Sequence, residues 1–167
     1  FKGGSMGALK LRLGDDRHEG IDEDGQTKFF HELTRNLFEV DQVSEADLRR
    51  YDLNIVAHWQ AITAQRNKLE GHVLQMKYFQ YLSLLFTEIY LDWYFNKRQA
   101  LLDGLNAELA LYRAEQSAEP FRMFEADDLN KVAFWNATGS GKTLLLHVNI
   151  YQYLHHFQAG RGEHYPD

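Results

Sequence analysis

Apolar positions recur at steps of three and four along most of the chain, the spacing of one helix face. Phe30, Leu33 and Leu37, with Phe29 and Phe38 beside them, predict a short amphipathic helix from Thr27 to about Glu39. Ser44-Glu-Ala-Asp47 is an N-cap signature, a serine with a carboxylate three residues on. After it Leu48, Tyr51, Ile55, Trp59 and Ile62 mark one face of a helix of about five turns. Tyr78 to Phe95 is apolar on nearly every side, as expected of a helix buried in a bundle or covered by a partner domain. Leu101, Leu102, Leu105, Leu109 and Tyr112 continue the period, with Gly104 as its one interruption. Gln116 to Pro120 is a break, because proline cannot sit inside a helix.

The pattern then changes. Phe121 to Asn130 reads as a connector, and Val132-Ala-Phe-Trp135 is a short apolar run that suits a buried strand. Ala137 to Gly141 are small, and Leu144 to Phe157 forms a second, strongly apolar helical run ending near Gly160-Arg-Gly162. Strand, small-residue loop and Lys142-Thr143 at a helix start is the layout of a phosphate-binding P-loop. The chemistry requires these residue types. Gly139 and Gly141 let the backbone turn tightly and approach a polyphosphate with no Cβ in the way. Successive N–H groups of Ala137, Thr138, Gly139, Ser140 and Gly141 can face phosphate oxygens, and the following helix adds its positive dipole end. Lys142 supplies a point charge for the β and γ phosphates of ATP, and the Thr143 hydroxyl a ligand for Mg²⁺. The competing reading is a chance Gly-Ser-Gly turn between a strand and a helix.

Composition narrows the class. At 167 residues and 44% hydrophobic the chain can bury a core, and 14% aromatics exclude disorder of the whole. A net charge of −6 argues against strong nucleic-acid binding by this stretch alone. Arg49-Arg50 and Lys97-Arg98 read as solvated helix faces. Without cysteine there is no disulfide framework, which fits a reducing cytoplasm, and no apolar run is long enough for a membrane span. Phe1-Lys-Gly-Gly-Ser5 reads as a tag remnant before Met6, and the residues up to about Gly25 as a mobile acidic arm. Asp22-Glu-Asp-Gly25 has the composition of a calcium loop but lacks its later glutamate.

Other candidates for chemistry are weaker. Glu88 and Asp92 lie one turn apart, and paired carboxylates can serve acid–base or metal chemistry. With no histidine or third carboxylate at matching spacing, a solvated or salt-bridged stripe is the better reading. His147, His155 and His156 share one helix without the i, i+4 spacing of a zinc site, and read as surface or packing residues.

The position of the first glycine in the generic P-loop is taken by Asn136. Ala137-Thr-Gly-Ser-Gly-Lys-Thr143 instead resembles motif I of superfamily 2 helicases and translocases, and disfavours kinase or AAA classes. The segment Lys131-Val-Ala-Phe-Trp-Asn-Ala-Thr-Gly-Ser-Gly-Lys-Thr143, with Leu-Leu-Leu-His-Val-Asn149 after it, is similar to the restriction subunits of type III restriction–modification systems and related phage-defence helicases. The run Lys77-Tyr-Phe-Gln-Tyr-Leu-Ser-Leu-Leu-Phe-Thr-Glu-Ile-Tyr-Leu-Asp92 looks similar to a prefix in such proteins. The resemblance implies an ATP-driven motor on double-stranded DNA, with ATP and Mg²⁺ as cofactors, a nuclease domain in many members, and a methyltransferase or other defence subunit as partner.

The expected fold is mostly α: a flexible N-terminus over 1–26, a helical domain over 27–116, and over 117–167 the first strand, P-loop and helix of a RecA-like α/β domain. No Asp-Glu-x-x segment follows Thr143, so the sequence reads as the front of a larger protein, able to bind nucleotide but not to turn it over, and prone to self-associate. The alternative is a helical interaction module with an incomplete nucleotide site.

Overall fold

A computed structural model describes residues 6–36, 43–115 and 121–164. Among these residues six α-helices form: α1 Met6–Leu13, α2 Lys28–Asn36, α3 Glu45–Glu70, α4 Tyr78–Asn96, α5 Arg98–Glu115 and α6 Lys142–His164. The N-terminal signature at Ser44 works as its chemistry requires, the Ser44 Oγ accepting from the Asp47 N–H at 3.1 Å. At the far end Gly71 takes φ 71° and donates its N–H to the Asn67 carbonyl at 3.0 Å, a left-handed stop open to glycine at no steric cost. The reversal into α4 is then tied back to α3, because Trp59 Nε1 donates to the Leu74 carbonyl and the Leu74 N–H to Asn67 Oδ1.

α4 is the hub, packed against α3, α5 and α6. Leu48, Tyr51, Ile55 and Trp59 of α3 meet Tyr81, Leu82, Leu84 and Leu85 of α4 in one buried cluster, which Leu145 and Val148 of α6 complete. Burying side chains of this size contributes about 1.5–3 kcal/mol each, so this three-helix seam dominates the cohesion of the molecule. The N-terminal residues belong to the same core. Leu13 of α1 is buried, an antiparallel bridge joins Ile21 to Thr27, and Phe29 of α2 stacks on Tyr81 at 5.1 Å. The acidic stretch before Gly25 is therefore not a free arm from Met6 onward. Asp52 explains part of this docking: fully buried, it accepts from the Thr27 N–H at 2.8 Å and from the Thr27 hydroxyl. Burial holds its carboxyl above the usual range against those hydrogen bonds.

The expected first β-strand of a RecA-like α/β domain does not form. Among the described residues there is no strand and no sheet, and the architecture is all-helical. Val132 to Trp135 is non-helical, as its apolar, aromatic composition favours, but its backbone pairs with no other backbone among the described residues. A parallel strand is made by its neighbours, and the residues here supply none. Trp135 is 92% exposed in consequence, and Val132 and Phe134 are exposed beside it.

One further boundary differs by a few residues from the periodic reading. α6 begins at Lys142 and runs through Gly160, which lies buried beside the Phe95 ring, so Gly160-Arg-Gly162 does not end the helix. Helical continuation here costs the glycine entropy but keeps the α4–α6 contact. The break at 116–120 and the tag-like residues 1–5 lie outside the described residues.

Candidate functional site

The segment that leads to the loop is held by side chains of α4 and α5 rather than by a sheet. Asn106 uses its amide as a second backbone, accepting from the Phe124 N–H at 2.7 Å and donating to the Phe124 carbonyl at 3.0 Å. Arg98 donates to the Ala126 carbonyl, and Tyr90 and Tyr94 donate through their hydroxyls to the Leu129 carbonyl and Asn130 Oδ1. Leu129, buried in a 3-10 turn over Ala126–Asn130, pins the segment at its middle. From there the chain runs exposed to Asn136 and turns.

The turn is built on two glycines. Gly139 and Gly141 both lie in the left-handed region, at φ 80° and 82°, where a side chain is strained. The Ser140 N–H donates to the Ala137 carbonyl at 3.2 Å, closing the turn, and the Leu145 N–H to the Gly141 carbonyl at 3.0 Å, opening α6. The N–H groups of Lys142, Thr143 and Leu144 belong to the first turn of that helix, where no intrahelical acceptor exists. Lys142 folds back over the loop, and its Nζ donates to the carbonyls of Asn136 and Ala137 at 3.3 Å each. Ala137, Thr138, Gly139 and Thr143 are exposed, while Ser140 is buried. All seven residues singled out by the motif, from Ala137 to Thr143, thus stand together at the head of α6.

Two clefts flank the loop. One of about 650 Å³ lies between α4 and α6, reaches Lys142, and is lined by Tyr90, Tyr94, Phe134 and Asn149. The other, of about 520 Å³, is bounded by the backbone of residues 136–140 and by Tyr78, Phe79, Phe86 and Trp135. Both are open and aromatic-walled.

Sequence reasoning missed one residue at the loop. Gln80 of α4 is buried and donates its Nε2 to the Ser140 carbonyl at 2.9 Å. Its own signal was local: a glutamine three residues after the helix cap, the third position of a capping box. Its Oε1 does accept from the Lys77 N–H at 2.9 Å, but nothing in the spacing points sixty residues onward.

The carboxylate pair on α4 has a different role. Glu88 and Asp92 are both buried and ion-paired, so of the two readings the salt-bridged one holds and the solvated one does not. Glu88 bonds His156 of α6 at 2.7 Å and accepts from Asn54 of α3 at 2.7 Å. Asp92 accepts from Tyr51 at 2.5 Å, from Asn96 at 2.7 Å and from Arg50 at 3.2 Å. Burial pushes the Asp92 carboxyl upward, and these donors together outweigh it and hold the group below the usual carboxylate range. Every oxygen is engaged inside the three-helix seam, which makes the pair a structural clamp. His156 is thus a buried partner, whereas His147 and His155 are exposed. Among the described residues no cluster of histidine and acidic side chains could hold a metal ion, and no helix is long and apolar enough to cross a membrane.

No protein-family model, no curated protein and no solved structure matches this chain.

Proposed function

We propose that residues 137–143 bind the phosphates of a nucleoside triphosphate, ATP in the first instance. The chain would contribute this loop to an ATP-driven enzyme acting on double-stranded DNA, of the superfamily 2 kind found in restriction and phage-defence systems. The observation that carries the reading is the head of α6: two left-handed glycines, a first turn of free N–H donors, and Lys142 Nζ lying over the loop on two carbonyls. Those carbonyls are weak competitors for an ammonium, and a polyphosphate would draw it off with a charge-assisted contact. The residues present fit the group. A Cβ at Gly139 would meet open space, so room for oxygens exists beside the backbone, and the exposed Thr143 hydroxyl stands where it could hold Mg²⁺. The aromatic wall of Tyr78, Phe79, Phe86 and Trp135 adjoins the loop and offers a face for the base.

Hydrolysis needs a Mg²⁺ carboxylate, a group to position water and an arginine for developing charge. No Asp-Glu-x-x segment that would supply the carboxylate follows Thr143, so on this reading residues 137–143 hold nucleotide without turning it over. The test is competition against a fluorescent ATP analogue. ATP and ADP should displace it and AMP should not, because the loop reads the β phosphate. A phosphate-release assay on the same protein should stay flat. Displacement by AMP as effective as by ATP, or steady hydrolysis lost in Lys142→Ala, would contradict the reading.

A second reading has its own support. Leu146, Ile150, Tyr153 and Leu154 are exposed at helical spacing along α6, and Leu146 and Tyr153 share a cleft with Val132, a larger apolar surface than single scattered residues leave. On this reading the helices bind a partner chain and the nucleotide site is incomplete. Tight association with no nucleotide affinity would favour it.

A further inference from the structure

Gln80 does more than cap its helix. The amide is bonded at both ends, Oε1 to the first turn of α4 through the Lys77 N–H and Nε2 to the Ser140 carbonyl, each at 2.9 Å. Ser140 stands between the two left-handed glycines. A Cβ built on Gly141 would lie 2.9 Å from Nε2, so the amide comes as close to the loop backbone as a glycine permits. We propose that Gln80 is the positioning residue of the phosphate loop, fixing the Ser140–Gly141 peptide from the first turn of α4.

The consequence follows from peptide geometry. In a trans peptide the C=O and N–H point in opposite directions. With the Ser140 carbonyl captured by Gln80, the Gly141 N–H is directed away from α4, available as one of the donors a phosphate would meet. Glycines on both sides of Ser140 leave little steric resistance to rotation of this peptide, so an external tie is needed to hold it. The tie prepays the ordering that anion binding otherwise requires. Lys77 is itself fixed, its Nζ 2.7 Å from Glu19 Oε1, so the strut is anchored at its base.

This inference rests on the phosphate-loop reading, and two substitutions separate it from helix capping. Gln80→Glu keeps the acceptor for the Lys77 N–H and loses the donor to Ser140. Gln80→Met loses both and carries no charge that could repel a phosphate. The measurements are amide hydrogen exchange across residues 137–143, melting temperature, and affinity for a fluorescent ATP analogue with Mg²⁺, with Lys142→Ala as control. Faster exchange at Gly139–Gly141 is expected in both variants, with affinity weakened about five- to tenfold, the effect of one lost hydrogen bond. The Gln80→Glu melting temperature should fall less than that of Gln80→Met, because the bond to the Lys77 N–H is kept. Wild-type affinity and loop exchange in Gln80→Met, or weakening confined to Gln80→Glu, would overturn the role of Gln80. A wild-type protein that binds no nucleotide, or a Lys142→Ala protein that binds as well, would overturn the phosphate loop itself.

Discussion

Lys142 and Thr143 carry separable parts of the proposed chemistry. Lys142→Ala removes the cation over the loop and should weaken ATP binding by at least about tenfold, with or without Mg²⁺. Thr143→Ala should weaken binding only when Mg²⁺ is present, which titrations with and without a chelator distinguish. Asp92 gives a residue-level test of the fold. Its carboxyl titrates below its unfolded value of 3.8, so its contribution is complete above that value and is lost as pH falls through the lowered one. The stability gap between wild type and Asp92→Asn, from urea unfolding, should therefore be constant near neutral pH and close below about pH 4. A gap that widens on acidification would contradict the assignment. Motif residues such as these are legible in sequence because their meaning lies in adjacent positions. Gln80 and the Glu88–His156 pair are not, since their partners stand sixty and sixty-eight residues away and no periodicity links them.

Helices were readable because burial repeats with their own period, and α3 follows it closely at Leu48, Tyr51, Ile55 and Trp59. The run from Val132 to Trp135 shows the opposite case. Its residues prefer extended backbone, but a strand is a property of at least two segments, and local preference cannot provide the second. α6 shows a third case, where packing on Phe95 carries the helix past a Gly-Arg-Gly sequence that reads as its end. Glu88→Ala leaves His156 and Asn54 without their partner and should cost about 1–3 kcal/mol, with Glu88→Gln milder, by chemical denaturation. Gly104 lies inside α5, and a Cβ there meets nothing within 4 Å. Gly104→Ala should therefore stabilise by about 0.5–1 kcal/mol, and a lower melting point would show a contact that the helix does not have.

For the molecule as a whole, circular dichroism should report helix without a sheet. The apolar surface along α6 and the 132–135 segment should drive concentration-dependent association, visible by light scattering, and Leu146→Asp with Ile150→Asp should suppress it. A clean monomer at high concentration would count against that surface. Amide chemical shifts at the head of α6 report nucleotide binding there. Addition of Mg–ATP should produce saturable shifts centred on Gly139, Gly141, Lys142 and Thr143, lost in Lys142→Ala. Shifts centred elsewhere, or none at millimolar nucleotide, would contradict it.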